Sequence, residues 1–129
     1  MSAQAVDVVL YSADPARREA VKRGIGIRPG KGAPTLQWIE TATAQGTIHA
    51  VEAHRPPIVI LDAEAPKVGG MAVAQDIHNQ LEQDPVIILL TARPQDRWLA
   101  TWAGAAYTVL APYDPLELQR TMMDALRTI

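Results

Sequence analysis

The sequence predicts an α/β fold in which a parallel β-sheet is covered by helices on both faces. Two observations support this prediction. Short apolar runs of strand length alternate five times with longer stretches of helical length. Two of the runs, residues 58–61 (IVIL) and 86–90 (VIILL), are continuously apolar, which is typical of strands buried on both faces. Because parallel strands need crossover connections that are usually helices, the alternation favours a parallel sheet.

The first two strand-helix units are separated by a long loop. Residues 8–11 form an apolar run of strand length, and a helix over residues 15–23 begins with a capping aspartate followed by a first-turn proline. Residues 24–35 are rich in glycine and proline and are basic, which indicates a loop. An alternating strand over residues 36–40 and a helix over residues 44–54 follow.

The remaining elements complete five units. They are predicted as strands over residues 58–61, 86–90 and 107–110 and helices over residues 71–83, 94–105 and 114–129. Val73, Ile77 and Leu81 lie four apart on one helical face, and the Asp-Pro pair at 84–85 is expected to end that helix. Asp114 is followed by a proline and, three positions on, by a glutamate, so the last helix is predicted to begin with a capping box.

Composition limits the class of protein. The chain of 129 residues has the size of one domain, which we expect to span residues 1–129. No apolar run approaches the roughly 18 residues of a membrane span, and the N-terminus lacks the features of a signal peptide. A net charge of −2 and the absence of cysteine favour a cytoplasmic protein that does not bind nucleic acid. The basic group Arg17, Arg18, Lys22 and Arg23 is interpreted as a solvated helix face.

Functional groups of parallel α/β sheets gather beyond the carboxyl ends of the strands. In this chain those positions hold SADP (12–15), DAEAP (62–66), TAR (91–93) and APY (111–113). Asp62 directly follows a buried strand and is the candidate reaction centre. The alternative interpretation is a turn residue that accepts hydrogen bonds from local backbone amides.

These motifs resemble the receiver domain of bacterial two-component response regulators over essentially the whole chain. In ILDAEAPKVGG, Asp62, Pro66 and Gly70 match the family's phosphoacceptor aspartate and the proline and glycine that follow it. Thr91 in LLTA matches the switch threonine that binds a phosphoryl oxygen, and Pro112 follows the position of the family's lysine. The resemblance implies a flavodoxin-like, doubly wound sheet of five strands in the order 2-1-3-4-5.

The metal-binding part of the family's site is altered in this chain. Ser12 and Ala13 occupy the positions of the acidic pair that holds Mg²⁺ in the family, so Asp62 is the one family carboxylate that remains. Mg²⁺ prefers oxygen ligands and is commonly held by one or two carboxylates with waters. Asp14 and Glu64 are the candidate substitutes, and whether a metal ion binds is left open.

The counter-charge of the family's site is also altered. Ala111 occupies the lysine position, and a phosphoryl group brings a charge of about −1.5 to −2. A partner protein or the nearby Arg93 would have to supply the positive charge. The family's switch aromatic falls on Thr108, with Tyr107 beside it. Weak or absent phosphorylation of the aspartate is therefore expected.

Two tryptophans in the fourth helix receive different interpretations. Trp98 is predicted to lie in the core, whereas Trp102 is predicted to be exposed and to contribute to an interface, together with Tyr113. The family's usual contact surface is built by helix 4, strand 5 and helix 5. The resemblance therefore implies protein partners, among them a histidine kinase or a downstream effector, and permits a homodimer through this surface.

Other motifs carry no chemistry on this interpretation. GIGIRPGKG (24–32) has the wrong spacing for a phosphate-binding loop and follows a helix rather than a strand. His49, His54 and His78 do not have the spacing of metal ligands, and no Ser-His-Asp arrangement is expected.

Three functions remain open. The first is an atypical receiver, without an output domain and without enzymatic activity, that signals through protein contacts. The second is a working receiver phosphorylated on Asp62 by a histidine kinase. The third is a small-molecule sensor that uses the pocket at the strand ends, which only the fold suggests.

Overall fold

The computed structural model describes residues 5–64 and 69–129 of the chain. Its sheet contains five parallel strands in the order β2-β1-β3-β4-β5, as predicted. The strands are β1 (Val6–Tyr11), β2 (Leu36–Thr41), β3 (Ile58–Asp62), β4 (Val86–Thr91) and β5 (Tyr107–Leu110). The predicted α/β class and the flavodoxin-like order of strands are confirmed.

One helix follows each strand in the described part of the chain. These helices are α1 (Pro15–Ile25), α2 (Ala44–His54), α3 (Gly70–Gln80), α4 (Arg97–Trp102) and α5 (Pro115–Arg127). Several boundaries differ from the prediction by up to three residues, among them those of the third and fourth helices. Helix α3 ends at Gln80, before the Asp-Pro pair, because Leu81 is extended and packs partly buried against the core. The start of the predicted fourth helix is a 3₁₀ turn over Pro94–Asp96.

The sheet is buried on both faces, and each strand contributes alternate residues to the two faces. One face packs against α2, α3 and α4, and the other packs against α1 and α5. The first cluster includes Val9, Tyr11, Val59, Leu61, Val73, Ile77, Ile87 and Leu89. The second includes Val8, Leu10, Val21, Ile58, Ile60, Ile88, Leu90, Val109, Leu118 and Met122. Burial on both faces explains why the central strands are continuously apolar.

The predicted helix caps are present at α1 and α5. The Asp14 carboxylate accepts a hydrogen bond of 2.9 Å from the amide of Ala16, and Asp114 accepts one of 3.2 Å from the amide of Leu116. In both helices a proline occupies the first turn, where the missing amide proton costs nothing. These caps fix the point at which the chain leaves each strand end and enters the next helix.

The loop over residues 26–35 is irregular, as predicted, and lies against the protein. The Ile27 carbonyl accepts a hydrogen bond of 2.7 Å from the Leu36 amide, and a Cβ added at Gly30 would lie 3.0 Å from the Met123 sulfur. Ile27 itself is 66% exposed. Among the described residues, no helix is both long enough and apolar enough to cross a membrane.

The register places the candidate site at one edge of the sheet. Tyr11 lies opposite Leu61, and Asp62 lies opposite Leu90, so the residues after β1, β3 and β4 emerge side by side. Thr91, the last residue of β4, comes directly after Leu90, which pairs with Asp62. Ser12, Asp62 and Thr91 therefore meet at the carboxyl edge of the sheet.

Candidate functional site

Asp62 is a buried carboxylate at the end of the central strand. Asp62 is 1% exposed, and every residue of β3 is buried. One oxygen, Oδ1, accepts a hydrogen bond of 2.9 Å from the backbone amide of Glu64. This is the local amide bond expected of a turn residue, but it accounts for only one of the two carboxylate oxygens.

Ser12 donates to the second oxygen of Asp62. The Ser12 Oγ to Asp62 Oδ2 distance is 2.8 Å, and both residues are buried. The same hydroxyl accepts a hydrogen bond of 3.1 Å from the backbone amide of Asp14. The hydroxyl is thus used as donor and as acceptor, which is the arrangement that burial requires.

Arg17 also donates to Asp62, and the sequence interpretation missed this contact. Its Nη1 lies 2.9 Å from Asp62 Oδ2, and its side chain is 33% exposed while that of Asp62 is 2% exposed. The interpretation of this residue as part of a solvated helix face is therefore wrong. A signal was present: Arg17 lies in the first turn of α1, where the helix dipole disfavours a cation.

The charges at this edge act on one another. Burial lowers the pKa of Arg17, but the hydrogen bond to Asp62 and the charge of Asp62 outweigh that effect, so the pKa is raised. Burial raises the pKa of Tyr113, and the Arg17 charge opposes this increase while Asp62 and Glu64 add to it. The Arg17 guanidinium carbon lies 6.0 Å from the centre of the Tyr113 ring. Arg17 therefore lies between the Asp62 carboxylate and the segment that joins β5 to α5.

Thr91 provides a buried hydroxyl that is not used within the described residues. It is fully buried, and its Oγ1 has no hydrogen-bond partner among residues 5–64 and 69–129. Its carbonyl accepts a hydrogen bond of 2.8 Å from the amide of Ala111, the residue at the family's lysine position. A buried hydroxyl without a partner is costly, so a group that supplies an oxygen or a donor here would be favoured.

The residues expected to rescue the site are exposed or engaged in other contacts. Asp14 caps α1, Ala13 is exposed and has no side-chain oxygen, and Glu64 is exposed. Arg93, the expected counter-charge, pairs with Asp96 at 3.2 Å and is 64% exposed. The cation that the structure places on Asp62 is an arginine of α1.

Mg²⁺, the ion that the resemblance implies, does not fit these residues. The described residues contain no group of three His, Cys, Asp or Glu side chains that could hold a metal ion. Oxygen Oδ2 of Asp62 already accepts from a hydroxyl and from a guanidinium. A divalent ion at this oxygen would have to displace the guanidinium.

The predicted core position of Trp98 is wrong. Trp98 is 68% exposed and Trp102 is 70% exposed, and they lie one turn apart on the same face of α4. The buried residues of this segment are Ala100 and Ala103. The expected exposure of Trp102 is therefore observed, and Trp98 adds a second large aromatic to the same surface.

Two further expectations concern the motif after Asp62 and the pocket at the strand ends. Pro66, part of the motif after Asp62, lies outside the described residues. Two cavities of about 520 Å³ lie along α2, one lined by Thr43 and His49 among others, the other lined by Glu52 and Arg55 among others. Neither of these cavities includes a residue of the Asp62 site, so they give no support to a sensor pocket at the strand ends.

Known proteins resemble this chain in sequence and in structure, although no family model matches it. A response regulatory protein of Mycobacterium tuberculosis, named as uncharacterized, is 37% identical over 126 residues, which cover 98% of this chain and 95% of that protein. The signal receiver domain of the response regulator NarL from M. tuberculosis has a TM-score of 0.80 at 23% identity, covering 98% of this chain and 99% of that one. A CheY-like receiver domain protein from Methanospirillum hungatei has a TM-score of 0.79 at 18% identity, covering 97% and 96%.

Proposed function

The chain belongs to the response-regulator receiver family of two-component signalling, and we propose that it is an atypical member that signals through protein contacts, with phosphorylation of Asp62 weak or absent. On this proposal it is a cytoplasmic signalling module rather than an enzyme, and residues 1–129 form one receiver domain. An alignment with the M. tuberculosis response regulatory protein that covers 98% of this chain supports a receiver domain over these residues.

The observation that carries the proposal is the occupation of the Asp62 carboxylate. Phosphorylation of an aspartate requires in-line attack by a carboxylate oxygen on a phosphoryl donor. Here Oδ1 accepts from a backbone amide, and Oδ2 accepts from Ser12 and Arg17. An oxygen that already accepts two side-chain hydrogen bonds is a weaker nucleophile than a free one, and attack through Oδ2 must first break at least one of those bonds.

The charge of the site leads to the same conclusion. A phosphoryl group brings about −1.5 to −2, which the family balances with a metal ion and a lysine. In this chain Ser12 and Ala13 occupy the positions of the family's metal-binding acidic pair, and Ala111 occupies the position of the lysine. The one guanidinium that contacts Asp62 is already paired with its carboxylate.

One observation favours the second candidate, a working receiver. The buried Thr91 hydroxyl is free to donate among the described residues, and it lies beside Asp62 in the sheet. In that case Arg17 would turn from the carboxylate to the phosphoryl oxygens, which guanidinium groups bind well. The two candidates differ in whether Asp62 accepts a phosphoryl group at a useful rate.

Intact mass measurement tests this difference. We expect wild-type protein incubated with Mg²⁺ and acetyl phosphate to remain almost entirely unmodified, because the nucleophile is occupied and the metal ligands are absent. A matched positive control is the same chain with Ser12→Asp, Ala13→Asp, Arg17→Met and Ala111→Lys, which restores the family's charged groups and removes the guanidinium from Asp62, and it is expected to gain a phosphate adduct. A near-complete adduct on the wild-type chain that is lost in Asp62→Asn would contradict the proposal.

A second part of the proposal concerns the surface that makes the protein contact. We propose that α4, β5 and α5 form this surface, with Trp98 and Trp102 at its centre and a second copy of the chain as one partner. Both rings are more than two-thirds exposed, and exposed tryptophans are enriched among the residues that dominate binding energy. Tyr113, at the start of the segment before α5, is partly buried and would lie near the edge of the surface.

Sedimentation of the wild-type and substituted chains tests this surface. We expect the wild-type chain to form a reversible dimer. We expect Trp102→Ala to raise the dissociation constant of that dimer by at least about tenfold. Ile27→Ala is the matched control, since Ile27 is similarly exposed but lies in the loop after α1. A monomeric wild-type protein, or a dimer unaffected by Trp102→Ala, would rule out self-association through this surface.

A further inference from the structure

We propose that Arg17 is the resident counter-cation of the Asp62 site and that its guanidinium excludes divalent metal ions from that site. The inference deepens the proposed function, because it names the group that takes the place of the metal ion. It rests on the position of one side chain from α1 at the carboxyl edge of the sheet. Neither the family motif nor the chain spacing assigns a role to this residue.

The contact has the geometry of a charge-assisted hydrogen bond. Arg17 Nη1 lies 2.9 Å from Asp62 Oδ2, a carboxylate oxygen of a side chain that is 2% exposed. A guanidinium remains protonated at all ordinary pH values, so its charge is a permanent part of the site. A carboxylate buried to this extent requires a compensating positive charge, and this contact supplies it.

The neighbours of Arg17 hold the first turn of α1 in place. Asp14 caps the helix through the Ala16 amide, and the next residue, Arg18, donates a hydrogen bond of 2.6 Å to the Ser12 carbonyl. The residues on the two sides of Arg17 are therefore held, one by the helix cap and the other by the Ser12 carbonyl at the end of β1. This fixes the backbone from which the guanidinium reaches Asp62.

The same placement explains why a metal ion would be excluded. A divalent cation bound to Asp62 Oδ2 would lie within a few ångströms of the guanidinium, and like charges at that distance repel strongly near a buried carboxylate. The Ser12 hydroxyl donates its proton to Asp62, so it is a neutral ligand at most. The site should therefore be insensitive to the Mg²⁺ concentration, unlike a site whose charge balance depends on a dissociable ion.

Arg17 also connects the site to the proposed contact surface. Its guanidinium carbon lies 6.0 Å from the centre of the Tyr113 ring, at the limit of a cation–π contact. Tyr113 precedes α5 and follows the cis Ala111–Pro112 peptide. The counter-cation is thus in contact with Asp62 on one side and with the β5–α5 segment on the other.

Binding of Mn²⁺, followed by the electron paramagnetic resonance signal of the free ion, tests the exclusion. The probe is Mn²⁺ alone, with Mg²⁺ as competitor and no phosphodonor. We expect no binding to the wild-type chain, and we expect Ser12→Asp combined with Arg17→Met to bind one Mn²⁺ at least about tenfold more tightly than Ser12→Asp alone. Adding Asp62→Asn should abolish that binding.

Two results of the Mn²⁺ titrations would overturn the inference. One is Mn²⁺ binding by the wild-type chain that added Mg²⁺ displaces. The other is equal Mn²⁺ binding, strong or absent, by the Ser12→Asp chains with and without Arg17, provided that circular dichroism shows both to be folded. If a doubly substituted chain does not fold, the melting temperature of the wild-type chain decides: a rise with MgCl₂ relative to EDTA would overturn the exclusion, and no change supports it. Because no phosphodonor is present, these results are independent of whether Asp62 is phosphorylated.

Discussion

Gly70→Ala is expected to lower the free energy of unfolding by about 3 kcal/mol, which corresponds to a fall in melting temperature of roughly 10 °C for a domain of this size. A Cβ at Gly70 would lie 2.8 Å from the backbone carbon and oxygen of Asp62 and 2.9 Å from the Cβ of Leu61. Backbone atoms of a central buried strand cannot move aside without disturbing its partners. The start of α3 or the end of β3 must therefore shift, and urea denaturation measures the cost.

Gly24→Ala is the matched control for this substitution. Gly24 is also a buried helical glycine, and a Cβ there would lie 2.8 Å from Cδ1 of Leu118, the far end of a flexible side chain. Rotation of Leu118 relieves that clash, and alanine gains about 1 kcal/mol of helix propensity over glycine. We expect a net change within about 1 kcal/mol. If the two alanine chains were equally stable, the close approach of α3 to the Asp62 backbone would not hold.

The close approach at Gly70 also explains a sequence feature. The glycine eight residues after Asp62 was recognised by its resemblance to the receiver motif, and the structure supplies a steric reason for it. Other parts of the fold followed from local rules alone. Strands such as VIILL were predictable because burial on both faces requires a continuous apolar run, and the starts of α1 and α5 were predictable because Asp-Pro caps act within one turn.

The position of Trp98 was not predictable by the same rules. The sequence predicts one helix over residues 94–105 with Trp98 in the core, but residues 94–96 form a 3₁₀ turn and the α-helix spans Arg97–Trp102. The small residues Ala100 and Ala103 face the core from this short helix, and both tryptophans face away from it.

The contact of Arg17 with Asp62 could not be predicted because it is long-range. The two residues are 45 positions apart, and their meeting depends on how the first turn of α1 lies over the end of β3. Sequence patterns assign a residue to one face of a helix, and they assign Arg17 to the solvated face together with Arg18, Lys22 and Arg23. The strand ends, in contrast, come together wherever the sheet is parallel, so Ser12 and Thr91 were correctly placed near Asp62.

Arg17→Met is the second substitution with a large expected effect. We expect it to lower the free energy of unfolding by about 2 kcal/mol. Removing one partner of a fully buried ion pair costs about 3–5 kcal/mol, because the other charge remains buried and uncompensated. The Arg17 side chain is 33% exposed, so water partly replaces it and the cost is smaller. Methionine keeps most of the aliphatic volume of arginine, which limits the loss to the guanidinium and its contacts.

A double-mutant cycle with Asp62→Asn separates the ion pair from other effects of the substitution. Asparagine keeps an oxygen that can accept from Ser12 or from the Glu64 amide, but it carries no charge that needs Arg17. We expect Arg17→Met to cost about 2 kcal/mol when Asp62 is present and less than about 0.5 kcal/mol in the Asp62→Asn chain. Arg23→Met, from the exposed part of the same helix, should cost less than about 0.5 kcal/mol in both chains. Equal costs of Arg17→Met in the two chains would mean that the guanidinium does not compensate the Asp62 charge, and the counter-cation role would then have to be abandoned.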